Sequence, residues 1–220
     1  MIRVSAFRWV PPFAQGLVRD LRVRWALEES GLRHEVDLIG PEEQKSAAYR
    51  ARQPFGQVPA IDDNGLVLFE SGAIVLHIAA QSPALLPGDE SDRERTKTWM
   101  FAALNTIEPP ITMLNVIDFQ PDGKTQNAAL RETVIKRIQG RLDSLSAFLG
   151  SRDYLVADRF TAADLLMTTV LRILRTTDLV NNMPSLDAYR KRCEARPAFQ
   201  KALAAQMDTF AANAPPKAAD

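Results

Sequence analysis

The residues of this chain best placed to do chemistry run from Gly56-Gln57-Val58-Pro59-Ala60-Ile61, through Asp62-Asp63-Asn64-Gly65, to Phe69-Glu70-Ser71-Gly72. Val58-Pro59 joins a glycine-containing loop to a short apolar strand and is a candidate cis peptide, since only before proline is the cis form inexpensive. Asn64-Gly65 between apolar runs is a strong hairpin signal. Beyond Val67–Phe69 the chain passes through Glu70 and Ser71 into an apolar helix. A hydroxyl and open backbone N–H groups at a helix N-terminus can hold a carboxylate. A kinked backbone edge thus sits beside an anion hook, which suits a peptide-like acidic ligand. Alone, Glu70-Ser71 reads as a helix cap with a solvated acid. With Val58-Pro59 just upstream, a ligand site is the better reading.

The elements that must position these residues are of two kinds. In the first eighty residues, Ile2, Val4 and Ala6 alternate with Arg3 and Ser5 as a short strand. Leu17 to Ser30 reads as a helix, with Leu17, Leu21 and Trp25 on one face and Gly31 as its stop. Glu35 to Ile39 is a second strand, residues 41–52 a loop or short helix, and Gly72 to Ala80 a helix after the hairpin. This order predicts a thioredoxin-like α/β domain over 1–81, its first two strands parallel through a right-handed crossover. Residues 82–90, rich in Pro and Gly, read as a linker. The region 91–220 reads as all-helical. Val134, Ile138, Leu142, Leu145 and Leu149 form one apolar stripe, Leu166, Val170, Ile173 and Leu174 a second, and Phe199, Leu203, Met207 and Phe210 a third. Glu108-Pro109-Pro110 should kink or restart the helix that begins near Arg93. Thr161-x-x-Asp164 is a variant capping box, read as a structural cap. The Ala/Pro-rich tail from Ala211 is expected to fray.

Bulk properties exclude several classes. The chain has 220 residues, 46% of them hydrophobic, so a sizeable core is available. Basic and acidic residues number 27 each, which argues against a nucleic-acid or membrane-surface binder. One cysteine, Cys193, excludes an intrachain disulfide, and its helical setting reads as inert packing. The N-terminus lacks the apolar core of a signal peptide, and no run reaches membrane-spanning length. A cytoplasmic setting is the simplest expectation. His34 and His77 lack partners at metal-ligand spacing, so no metal is expected.

Five segments stand in an order that points to a family: Arg22-Val23-Arg24-Trp25-Ala26-Leu27-Glu28-Glu29, Pro54-Phe55-Gly56-Gln57-Val58-Pro59, Glu70-Ser71, Phe160-Thr161-Ala162-Ala163-Asp164 and Arg196-Pro197-Ala198-Phe199. With them the chain resembles the cytosolic glutathione transferases along nearly its whole length. The resemblance implies an N-terminal thioredoxin-like domain, an all-α C-terminal domain and a homodimer. It implies glutathione (γ-Glu-Cys-Gly) as co-substrate and a small hydrophobic electrophile as its partner. Val58 would pair with the cysteinyl amide through its backbone, held by Pro59. Ser71 would take the γ-glutamyl carboxylate and Glu70 would face the ammonium. Lys45 would meet the glycyl carboxylate, with Gln44 and Arg52 as rivals. The apolar pocket would lie between the domains under the helix from Arg93, lined by Trp99, Met100, Phe101 and Leu104, residues that core packing would equally explain.

The sequence departs from the family at the sulfur. A free thiol has a pKa of about 8.5 and is mostly protonated at neutral pH. Family members carry a Tyr, Ser or Cys after the first strand to hydrogen-bond it. Here residues 7–19 contain no hydroxyl and no thiol; Phe7 and Leu17 fall near those positions. The catalytic group is therefore open among Arg8, Trp9, Leu17 and Arg19. N–H groups around Gly16 to Val18 could hold the thiolate at the first helix's N-terminus, Arg8 or Arg19 could supply charge, or glutathione could bind without strong activation. Trp9, Phe13 and Leu17 could equally be core, or one wall of the second-substrate pocket. Beside the transferase stand two alternatives on the same fold: a non-catalytic glutathione-binding protein, and a glutathione-dependent thiol reductase or peroxidase.

Overall fold

The computed structural model describes residues 1–216 and divides by contacts into two compact units. One comprises residues 1–85 together with the segment from Ala195 onward, the other Leu86–Glu194.

The first unit opens with strand β1 (Ile2–Phe7), helix α1 (Asp20–Ser30) and strand β2 (His34–Ile39). Short helices α2 (Pro41–Lys45) and α3 (Ala47–Arg52) follow, then strands β3 (Ala60–Asp63) and β4 (Leu66–Phe69) and helix α4 (Ser71–Ala79). The strands form one sheet in the order β2-β1-β3-β4, with β1 parallel to β2 and antiparallel to β3, and β3 antiparallel to β4. This is the thioredoxin-like arrangement that the element order predicts. The Asn64-Gly65 turn closes the β3–β4 hairpin with both residues at positive φ, 51° and 94°. In β1, Val4 and Ala6 are buried and Arg3 is exposed, paired with Asp62 at 2.9 Å, as alternation predicts, but Ser5 is buried as well, against that alternation.

Helix α1 begins three residues later than the apolar spacing suggests. Residues 11–18 form successive turns instead, with Ala14 N–H on Pro11 O, Gln15 N–H on Pro12 O and Leu17 N–H on Ala14 O. Gly16 stands at φ 74°, in the left-handed region, and breaks any helical continuation there. Gly31, also left-handed, stops α1 as expected.

The second unit runs through α5 (Glu90–Ala102), a π-helical turn (Ala103–Ile107), α6 (Glu108–Phe119), α7 (Gly123–Gln126) and α8 (Ala128–Leu149). It continues with α9 (Ala162–Leu171), a 3-10 turn (Arg172–Leu174) and α10 (Pro184–Glu194). The restart at Glu108 follows from Pro109 and Pro110, which have no N–H to continue the ladder and sit in the first turn of α6. The stripe of α8 is buried as its spacing predicts, and every residue of α9 is buried. Trp99 packs on Phe148 with ring centroids 4.4 Å apart, Phe101 is exposed and Leu104 is half-buried in the π turn.

The last helix, α11 (Pro197–Ala212), packs against α1 in the first unit. Phe199 meets Trp25 edge-on at 4.7 Å. Arg196 donates two bonds to the Glu29 carboxylate, at 2.6 and 2.8 Å. The buried face of α11 is Phe199, Ala202, Gln206 and Phe210; Met207 is exposed, a correction to the apolar stripe. Helix α11 continues through Ala211 to Ala212, where the tail is expected to fray, and residues 217–220 lie outside the described residues.

Asp164 holds the start of α9. Its carboxylate accepts from Leu155 N–H and Tyr189 O–H on one oxygen, both at 2.9 Å. On the other it accepts from Thr161 N–H at 2.8 Å and Thr161 O–H at 3.0 Å. Burial pushes its pKa up to about 6 against these four donors. Asp164→Ala should destabilise the protein by roughly 3 kcal/mol in urea melts, because buried donors lose their acceptor. A folded pKa above the unfolded one means that this carboxyl's titration favours the fold below the unfolded value and loses that contribution as pH rises through about 6. The stability of the parent relative to Asp164→Asn should accordingly fall as pH is raised from about 4 to about 7.

Candidate functional site

The backbone around Val58 is held from beneath by a buried hydroxyl pair. Ser5 Oγ accepts from Ala60 N–H at 2.7 Å and lies 2.8 Å from the Tyr49 hydroxyl. Tyr49 O–H in turn donates to Gln57 O at 2.6 Å. Burial pushes the Tyr49 phenol above its ordinary range, so it stays a donor. From the side, the Gln44 amide donates to Gly56 O at 2.6 Å. Gly56 stands at φ 65°, and a Cβ there would sit 3.3 Å from Gln44 O, so glycine meets both the turn and the crowding. The Val58–Pro59 peptide is cis. Among the described residues, neither Val58 N–H nor its C=O takes part in a hydrogen bond.

Two cavities open beside this edge, both within the first unit. One, of about 290 Å³, is lined by Val58, Gln57 and Gln44 on one side and by Leu17, Val18 and Arg19 on the other, with Phe7 between. The second, of about 340 Å³, shares Phe7 and Gln44 and adds Arg8, Trp9, Val10 and the β2–α2 junction. No residue lining either cavity carries a hydroxyl or a thiol. The one hydroxyl in β1, Ser5, is fully buried and committed to Ala60 and Tyr49.

The expected anion hook lies at the start of α4. Ser71 is the first residue of α4, is 5% exposed, and its Oγ accepts from Arg22 at 3.1 Å. Arg22 is buried on α1, one turn from the residues that line the smaller cavity. Glu70, the exposed N-cap, has φ 69° and ψ 114°, a conformation L-residues rarely adopt. Such strain persists only where the surroundings over-determine it, and it clusters at ligand sites.

The other expected residues divide. Leu17 and Arg19 line the cavity with Val58, whereas Arg8 and Trp9 line its neighbour. Arg8 donates to Glu43 at 3.0 Å, and the backbone N–H of Glu43, with Arg8 second, holds that carboxyl below its usual range. Lys45 is exposed, 3.6 Å from Glu42, and lines neither cavity; of its rivals Gln44 lines both, while Arg52 faces Asp37 at 3.6 Å. Trp99, Phe101 and Leu104 belong to the second unit, as do Thr161 and Asp164. N–H groups expected to be open around Gly16 to Val18 are partly used: Leu17 N–H bonds Ala14 O, and α1 starts only at Asp20. Ser5, Tyr49, Arg22 and Gln206 are further residues of this site whose roles no local sequence signal marks. Ser5 and Tyr49 look like ordinary strand and helix residues until the fold joins them. Cys193 is fully buried on α10. Among the described residues no cluster of His, Cys, Asp or Glu is placed to hold a metal, and no helix is long and apolar enough to cross a membrane.

Two family models match this chain: "Glutathione S-transferase, N-terminal domain" over residues 15–80 and "Glutathione S-transferase, C-terminal domain" over 111–206. The aromatic loop at Arg8 and Trp9 precedes the first match. Glutathione S-transferase 4 of Zea mays is 30% identical over 222 residues, 96% of each chain. Glutathione S-transferase 3 of the same plant is 32% identical over 84% of this chain and 88% of that one. Among solved structures, glutathione transferase F7 of Populus trichocarpa aligns with a TM-score of 0.78 at 25% identity, over 94% of this chain and 99% of that one. A theta class glutathione S-transferase of Xanthomonas axonopodis pv. citri, solved with glutathione bound, aligns with a TM-score of 0.76 at 26% identity, over 92% of this chain and 96% of that one. From its α/β first unit to its last helix, the chain belongs to the glutathione S-transferase family.

Proposed function

We propose that this glutathione transferase holds its co-substrate glutathione in extended form along the Val58 edge and adds the glutathione thiolate to an apolar electrophile. The observation that carries this reading is one cavity bounded by the unpaired Val58 peptide on one side and the approach to α1 on the other. The cysteinyl amide pairs with Val58. The γ-glutamyl carboxylate lies at the start of α4, where Ser71 and the Arg22 guanidinium behind it supply donors and charge. Glu70 faces the ammonium. Gln44 is better placed than Lys45 for the glycyl end, because it lines the cavity and Lys45 does not.

With no hydroxyl in either cavity, the thiolate relies on charge and dipole. Arg19 lines the smaller cavity directly before the first turn of α1, and a cation there and a helix N-terminus both favour an anion. In the addition step the thiolate's lone pair forms the new C–S bond and the electrophile's leaving group departs with its bonding pair. The thiol proton passes to solvent beforehand. Phe7, Trp9 and Val10 give the neighbouring cavity apolar walls suited to a hydrophobic electrophile, the substrate class of detoxification. The buried position of Cys193 disfavours cysteine-based disulfide reduction. A cytoplasmic setting belongs to the same reading, since a single cysteine forms no disulfide within the chain.

A homodimer completes the proposal. Phe55 is 66% exposed and packs edge-on against Phe69, while Leu66 and Val67 on the edge strand β4 are also exposed. An apolar edge of this kind is a docking surface or a liability.

Ser71→Ala should weaken glutathione binding by about 1–3 kcal/mol in titration calorimetry, the loss of a charge-assisted hydrogen bond. Unchanged affinity would mean that the site lies elsewhere. In sedimentation at micromolar concentration the parent should run as a dimer; a monomer there removes the assembly from the account. Turnover of an aryl halide separates the transferase from a protein that binds glutathione only, which would saturate without product at any pH.

A further inference from the structure

Gln206 is the one polar residue on the buried face of α11, among Phe199, Ala202 and Phe210, and it is 0% exposed. An amide in such a place is retained only where it is bonded. Its Nε2 donates to Asp20 Oδ1 at 2.7 Å and to Val18 O at 3.3 Å, reaching 186 and 188 residues back along the chain. Asp20 is equally buried and also takes a bond from Arg24 Nε at 2.7 Å. Gln206 Oε1 has no partner among the described residues, so the side chain is held there as a donor.

What Gln206 holds is the end of the β1–α1 loop. The turns over residues 11–17 are bonded within the loop, as is the Gln15 side chain to Val10 O at 3.0 Å. Those bonds set the loop's shape. The Gln206 amide fixes its end to α11, at Val18, between the cavity-lining Leu17 and Arg19. The same amide meets the charge of Asp20. A carboxylate at the first turn of α1 opposes any second anion nearby unless it is answered. Gln206 and Arg24 answer it from the interior, leaving the helix start able to favour a thiolate.

We propose that Gln206 is a positioning residue for the transferase reaction: its single amide nitrogen sets where Leu17, Val18 and Arg19 stand against the sulfur of bound glutathione and, with the Arg24 guanidinium, answers the Asp20 carboxylate behind them. This deepens the reading of the Val58 cavity and rests on it. The last helix thereby takes part in thiol activation without touching substrate.

Gln206→Met keeps the volume and removes both donated bonds. Three measurements on the full-length protein test it: the ultraviolet thiolate band of bound glutathione against pH, kcat/KM with an aryl halide, and affinity for S-methylglutathione, which has no thiol. The variant should show a smaller thiolate fraction at neutral pH and a kcat/KM lower by about tenfold to a hundredfold, the scale for small misplacement of reacting groups. Its affinity for S-methylglutathione should match the parent's. A variant with a lower melting temperature but the parent's thiolate band and kcat/KM would make Gln206 merely structural and overturn the proposal. Should it fail to fold, Gln206→Asn, which keeps the amide and shortens its reach, is read in the same way. Failure of the parent itself to bind S-methylglutathione would instead strike at the Val58 site.

Discussion

The Ser5 hydroxyl, fully buried in the middle of β1, is where the first unit is tied to the Val58 edge. One oxygen accepts the Ala60 amide and pairs with Tyr49, which passes the connection on to Gln57. Strand β1, helix α3 and the loop before β3 meet at this point. Buried polar networks rigidify when every member is satisfied and destabilise when one is not. The Val58 peptide can stand without an internal partner because the residues on both sides of it are fixed. A ligand that pairs with Val58 finds that edge already in place, so little ordering remains to oppose binding.

Helix α1 is the second support. It is buried over its first eight residues, including Asp20, Arg22 and Arg24. Charged groups in such a setting need partners. Arg24 pairs with Asp20 within the helix, while Asp20 also takes Gln206 from α11 and Arg22 bonds Ser71 on α4. A turn later Glu29 binds Arg196. The helix thus connects the cavity at its start, Ser71 at the start of α4 and the last helix α11. Its polar residues act as fasteners where an apolar helix would pack without a unique setting.

Much of this was legible in the sequence. Alternation in β1, the Asn64-Gly65 turn and the α8 stripe are short-range signals, and they gave the elements in order. Val58 and Ser71 could be singled out because their local chemistry is distinctive. Lys45 could not be separated from Gln44, because which of two adjacent residues on a short helix faces a cavity depends on how α2 lies against β2. The start of α1 lies later than the four-residue spacing of Leu17, Leu21 and Trp25 indicates, because the backbone at Leu17–Arg19 is still in turns, which that spacing does not register. Gln206 was hidden for a plainer reason: Met207 is the better apolar residue, and only the partners Asp20 and Val18 explain why the amide is the one turned inward.

The family usually meets the glutathione sulfur with a hydroxyl or a thiol, and neither cavity here offers one. We propose that this chain replaces it with the start of α1, where Arg24 and Gln206 answer the Asp20 carboxylate, and with Arg19 at the cavity wall. The most direct test is an ultraviolet pH titration of glutathione bound to the unaltered protein, followed through the thiolate band. The account predicts that bound glutathione ionises at distinctly lower pH than free glutathione. Saturable binding with the ionisation of the thiol unchanged from solution would contradict it.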